Sequence, residues 1–157
     1  HEMLSQAQKK LAGRANVSFV VSNLLTFTSL QPFDFFFSSR AIEYMPNKRA
    51  AVHKIASLLV SGARGAIITK IPKPLFDWVR GRSSRALHSG QISPVALARL
   101  LRGNGLIVEK IRIATTTVPL IGFAPFNEFV YRFLKHVPPF FPLTLFTESY
   151  LVTFHKV

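Results

Sequence analysis

Three mostly apolar, strand-like runs, each separated from the next by a helix-like segment, most restrict what this chain can fold into. They are Phe33 to Ser38, Ala66 to Ile71 and Leu106 to Ile113. A strand with one wet face alternates apolar and polar residues. The first of these runs barely alternates, which suits a central strand of a parallel sheet covered on both faces. Between the first two runs, Lys48 to Val60 places Ala51, Ile55, Leu58 and Leu59 on one helical face, with Asn47 positioned to cap it. Ser61-Gly62 ends that helix. After the second run Pro72 and Pro74 stop the strand. Ser93-Pro94 then supplies an N-cap and first helical residue, and Gly103-Asn104-Gly105 closes a helix ending near Arg102. Apolar strands joined through helices predict an α/β fold, with a mostly parallel sheet and helices on both faces.

The flanks extend the pattern. Met3 to Leu11 has helical spacing and stops at Gly13, and the β-branched run Val17 to Val21 predicts a short buried strand. Leu145 to His155 predicts the last strand, with Glu148 and Ser149 within it. Asp34 falls at the entry of its strand and reads as structural. The Pro- and Phe-rich stretch from Pro119 to Pro142 breaks the alternation and reads as an insertion or lid on a single domain covering residues 1–157.

Composition narrows the chemistry. With 48% hydrophobic residues and 15 Phe, a packed core is expected rather than disorder. The absence of Cys excludes disulfides, thiolate metal sites and cysteine nucleophiles, and fits a reducing, cytoplasmic compartment. No His and carboxylate cluster has metal-ligand spacing, so no metal is expected. There is no G-x-S-x-G nucleophile elbow and no P-loop. No apolar run approaches the roughly 20 residues of a membrane span, so a soluble or peripheral protein is expected. The chain opens on His1 in helix-like sequence with no charged leader, which reads as a cut start without a signal peptide. A net charge of +13 favours polyanionic partners: anionic membrane, nucleic acid or a phosphorylated substrate.

Three segments together carry a resemblance. They are Asn16-Val-Ser-Phe-Val-Val-Ser-Asn23, Phe33-Asp-Phe-Phe-Phe-Ser-Ser-Arg-Ala-Ile-Glu-Tyr-Met-Pro46 and Lys54-Ile-Ala-Ser-Leu-Leu-Val-Ser-Gly-Ala-Arg-Gly-Ala-Ile-Ile-Thr69. In this order and at these spacings the chain resembles the class I S-adenosylmethionine-dependent methyltransferases, from the family's third strand onward. The resemblance implies a Rossmann-like sheet that is incomplete at the N-terminus. The family's first two strands, its glycine-rich loop and the acidic residue that holds the cofactor ribose have no counterpart in this sequence. It also implies S-adenosyl-L-methionine as cofactor and methyl transfer to a small or lipophilic acceptor. A catalytically degenerate module of the same fold, binding anionic membrane or nucleic acid, is the alternative.

Ligands of open α/β sheets sit beyond the carboxyl ends of the strands, and the resemblance distributes candidate residues there. Met3 matches a residue near the adenine, or else packs in the core. Ser22, Asn23 and Leu24 follow the third strand, where an acidic residue commonly meets the adenine amino group; Asn23 keeps an acceptor without the charge, or simply serves a turn. Ser38, Ser39 and Arg40 match the residues lining the methionine end and the reacting methyl group. Glu43 and Tyr44 lie one turn further and would border the acceptor. His88 is the candidate general base, should the acceptor need to lose a proton, or an exposed loop residue. His53 falls on the polar side of its helix, while His136 and His155 read as surface or packing residues.

Two stretches bear on the acceptor. Trp78 to His88 sets Arg80, Arg82 and Arg85 around one Trp, suited to phosphates or headgroups. Phe126, Phe129, Val130, Phe133, Leu134 and Val137 share one helical face, which either lies on a membrane surface or packs on its own sheet.

Overall fold

The computed structural model describes residues 2–72, 90–116, 124–136, 139 and 147–157. Their elements, in chain order, are α1 (Glu2–Lys10), β1 (Phe33–Ser39), a 3-10 turn (Ile42–Tyr44), α2 (Lys48–Leu58), β2 (Leu59–Lys70), α3 (Pro94–Arg102), β3 (Leu106–Thr116), α4 (Ala124–Leu134) and β4 (Thr147–Lys156). The strands form a sheet of order β1-β2-β4-β3. β1 and β2 are parallel, while β4 runs antiparallel to both β2 and β3. The sheet is therefore mixed, and the α/β architecture expected from the sequence holds.

The N-caps are those the sequence signals, but Ser61-Gly62 is not the stop of α2: the helix ends at Leu58 and the chain passes directly into β2 at Leu59, because pairing with the sheet claims these residues. The Asn47 side chain accepts from Ala50 N, the Ser93 side chain accepts from Ala96 N, and Pro94 opens α3. At the other end of α2, Lys156 Nζ donates to the carbonyls of Ala56 and Leu59 at 2.8 and 2.7 Å, satisfying groups the helix leaves open.

β2 runs through the middle of the sheet, and from Ala63 to Lys70 its residues alternate between buried and more exposed. Ala63, Gly65, Ile67 and Thr69 point to one face, where Phe154, Val152 and Tyr150 of β4 continue the layer. α2 and α3 cover that face with Val52, Ile55, Leu97 and Leu101, all wholly buried. Each such side chain contributes about 1.5–3 kcal/mol on burial, so this half of the molecule holds most of the fold's stability. Gly65 is there because a Cβ would enter the Phe154 ring. The opposite face receives α4, where Tyr131, and Lys135 just past the helix end, lie over Ile68, Arg112 and Leu151.

Two expectations about strands are corrected as well. Val17 to Val21 is not a strand: its backbone is irregular, and Val20 and Val21 are 67% and 73% exposed. A strand exists only by pairing, and none of the described residues pairs with this run; the neighbour that the family resemblance assigns to it has no counterpart in the sequence. For the same reason β1 is an edge strand rather than a central one. Among the described residues it pairs with β2 alone, and Phe33, Phe35 and Phe37 on its outer face are exposed, while Phe36 and Ser38 face the core. Leu145 to His155 is a strand over Thr147–Lys156, and Leu145 and Phe146 lie outside the described residues.

Candidate functional site

β1, β2 and β3 all end on one edge of the sheet, and β4 begins there. The polar residues of the fold concentrate at that edge. Ser38 is buried on the inner face and Ser39 is exposed on the outer one. Arg40 N still donates to Ile68 O at 2.8 Å, adding one rung beyond the strand. Its φ of 62° then turns the chain across the edge. For a residue with a Cβ this left-handed conformation costs roughly 1–2 kcal/mol, and the turn is held from outside. Ile42 is anchored in the core, and Arg40 Nε donates to Glu43 Oε1 at 3.0 Å.

Glu43 is the hub of this corner. Its carboxylate is buried, takes the Arg40 guanidinium on Oε1 and accepts the Lys70 backbone N–H on Oε2 at 3.3 Å. It therefore ties the end of β1 to the end of β2. Gly90 comes so close to the Glu43 carbonyl that a Cβ there would overlap it. The chain after the crossover thus returns directly onto the same corner. Lys70 Nζ lies 3.9 Å from Glu148 Oε1, joining β2 to β4. Tyr150 is wholly buried and donates to Ile92 O at 2.8 Å, pinning the segment before α3. Burial pushes its hydroxyl well above the usual tyrosine range, so it remains a neutral donor.

Beside Tyr150 in the ladder stands Thr69, fully buried, with no hydrogen-bond partner for its Oγ1. An unpaired buried hydroxyl costs about 1–3 kcal/mol. It is the one polar atom of this kind among the described residues.

The other sequence candidates fall as follows. Asn23 Oδ1 accepts from Leu25 N at 3.0 Å, and its carbonyl accepts from Thr26 N and Phe27 N. That is a turn-forming Asn, with Ser22 exposed beside it and Leu24 packed on the core. Met3 lies in the first turn of α1. Tyr44 is 77% exposed next to the Glu43 corner. His53 is exposed on α2, and His155 is tied to Glu109 at 3.0 Å. His88, Trp78 and the three arginines near it lie outside the described residues. The structure thus brings Ser38, Ser39, Arg40, Glu43 and Tyr44 together. It adds Thr69, Lys70, Gly90 and Glu148, which the sequence reading did not select. The available signal was that Thr69-Lys70 ends an apolar strand beside the end of its parallel neighbour.

No protein-family model matches this sequence, and no curated protein matches it in sequence. Solved structures do match in fold. N-methyltransferase NodS from Bradyrhizobium japonicum WM9 superposes with a TM-score of 0.63 at 10% identity, over 99% of this chain and 68% of that one. NodS in complex with S-adenosyl-L-homocysteine gives 0.60 at 11% identity, over 97% and 60%. A protein from Listeria monocytogenes assigned as an S-adenosylmethionine-dependent methyltransferase gives 0.67 at 12% identity, over 100% and 76%. The [4+2]-cyclase SpnF gives 0.62 at 11% identity, over 97% and 60%. The chain has the class I methyltransferase fold, and it spans between about three-fifths and three-quarters of the length of these structures.

Proposed function

We propose that this chain forms the later part of an S-adenosylmethionine-dependent methyltransferase domain, and that the Ser38–Tyr44 corner is where the methionine end of the cofactor meets the methyl acceptor. The observation that carries the reading is a strained, non-glycine turn at the carboxyl edge of a methyltransferase-fold sheet, held by a buried carboxylate. Backbone strain sustained this way is concentrated at functional sites, and strand carboxyl ends are where such sheets bind ligands.

The residues fit this end of the cofactor. Only Nε of Arg40 is committed to Glu43, which leaves the rest of a half-exposed guanidinium for a carboxylate. Ser39 is exposed beside it, and the unpaired Thr69 hydroxyl supplies a further polar atom at the same edge. Asn23 fits the adenine less well, since its Oδ1 already closes a turn. The two carboxylates found at this edge among the described residues, Glu43 and Glu148, are both engaged, so neither suits the ribose hydroxyls.

When bound, S-adenosyl-L-methionine supplies a methyl group activated by a sulfonium. The protein's task is then alignment of the nucleophile about 3 Å from that group. Glu43 fixes Arg40, Gly90 lets the returning chain close on the corner, and Tyr44 borders the acceptor. His88 is assigned the removal of a proton from the acceptor. A small or lipophilic acceptor is favoured by the aromatic surface on the outer face of the sheet, where Phe35, Phe37, Phe129 and Phe133 are exposed. That surface also favours a peripheral membrane location.

Calorimetric titration with S-adenosyl-L-homocysteine tests the reading, on this chain and on a longer one that includes upstream-encoded residues. Binding by the longer chain that weakens at least tenfold in Arg40→Ala is expected. Binding indifferent to Arg40→Ala, or none in either chain, overturns the assignment of this corner.

A further inference from the structure

A second site is visible on the helical face, away from the strand ends. A cleft of about 560 Å³ opens between the first half of α2 and the end of α3, lined by Arg49 and His53 from α2, by Arg99 from α3 and by Asn104 from the turn that follows α3. His53 Nδ1 lies 3.1 Å from Asn104 Oδ1, so the two walls are fastened across the cleft. The amide oxygen must accept, which assigns the proton to Nδ1. Arg49 and Arg99 are exposed, and among the described residues neither forms an ion pair. Among the described residues no acidic side chain lines the cleft. Arginine is the side chain best matched to phosphate oxygens, because its planar fork donates two parallel hydrogen bonds. Two unpaired guanidinium groups facing one groove therefore specify a phosphate-bearing ligand.

The arrangement of the faces decides which kind. A membrane-binding surface needs apolar side chains among its cations, to enter the lipid boundary. Here, among the described residues, Phe35 and Phe37 of β1 and Phe129 and Phe133 of α4 are exposed on the opposite face of the sheet from α2 and α3, and Tyr44 is exposed at the strand-end corner. A bilayer cannot engage both at once. A nucleic-acid backbone needs only a groove with spaced cations, and a protein of net charge +13 attracts it from a distance.

We infer that the α2–α3 cleft binds the phosphodiester backbone of a nucleic acid, through Arg49 and Arg99. The inference does not rest on the methyl-transfer reading, and its test uses no cofactor.

The test is fluorescence anisotropy of a labelled single-stranded RNA oligonucleotide titrated with the 157-residue chain, over a salt series. The Arg49→Glu/Arg99→Glu variant is compared with Arg112→Glu/Arg132→Glu, which changes net charge equally on the opposite face. Both pairs are exposed, and circular dichroism checks that each variant is folded. The expected result is a loss of at least tenfold in the cleft variant and under threefold in the control. The slope of log K against log salt should also shrink by about 1.4 in the cleft variant, for two lost single-strand contacts. No RNA binding by the parent chain, or equal losses in both variants, overturns the inference. So does retention on phosphatidylglycerol vesicles that is lost in the cleft variant while RNA binding survives.

Discussion

Replacing Tyr150 with Phe removes one hydroxyl and leaves the packing of β4 untouched. The side chain is wholly buried, and its hydroxyl donates to Ile92 O at 2.8 Å. Deleting that donor leaves a buried carbonyl without its partner, a loss of about 1–2 kcal/mol at neutral pH. At roughly 2–4 °C per kcal/mol for a chain of this size, Tm should fall by about 2–8 °C. Burial also raises the hydroxyl's pKa above its ordinary value of 10.0. The contribution is then fully present below that value. At higher pH the unfolded chain sheds a proton that the folded chain keeps, so the folded state of the parent protein loses about 1.4 kcal/mol per pH unit. Tyr150→Phe has no proton to shed at this position. The parent's advantage should therefore shrink above pH 10 and vanish by roughly pH 11. Urea unfolding followed by circular dichroism on both proteins measures this, since ionisations common to the two cancel in the difference. A difference near zero at neutral pH refutes the Ile92 hydrogen bond. A difference that persists unchanged through pH 11 refutes the buried neutral hydroxyl.

Further outcomes follow from other positions. Gly65→Ala should destabilise by about 1–3 kcal/mol by driving a methyl into the Phe154 ring, and Phe154→Leu in the same chain should recover part of that loss in thermal melts. Gly90→Ala meets the Glu43 backbone, which cannot swing aside, so it should loosen the candidate site; hydrogen exchange at Arg40 and Lys70 amides should speed up while β3 amides keep their protection. Thr69→Val replaces an unpaired hydroxyl with a methyl and should raise Tm by roughly 2–4 °C. If that hydroxyl meets a ligand, the same change should weaken S-adenosyl-L-homocysteine binding in calorimetry. Phe35→Lys with Phe37→Lys should alter stability by less than about 0.5 kcal/mol, and should reduce self-association in light scattering by charging an open, apolar sheet edge.

Much of the fold was legible because local signals and tertiary packing agree. Asn47, Ser93-Pro94 and the Gly103 to Gly105 stop each mark a boundary that the structure keeps, and the three apolar runs are strands. The two strand failures have one cause. Val17 to Val21 and Phe33 to Phe37 have the composition of buried strands, but burial depends on neighbours, and composition does not report whether they are there. The site was legible where it follows an element: Ser38 to Arg40 end a strand whatever happens elsewhere. Glu43 was selected as an acceptor neighbour. Its buried position between Arg40 and Lys70 N could not be read, because it depends on how β1 and β2 register. Thr69, Gly90 and Glu148 come from three distant segments, and only the sheet order brings them to one edge.

The central claim is that the Ser38–Tyr44 corner receives the methionine end of the cofactor. Amide NMR of this chain titrated with S-adenosyl-L-homocysteine tests it most directly. Weak, millimolar-range binding is predicted, because this sequence carries no glycine-rich anchor, with shifts centred on Ser39, Arg40, Glu43 and Lys70. Shifts elsewhere on the sheet, or none at these amides at saturating ligand, would contradict the account.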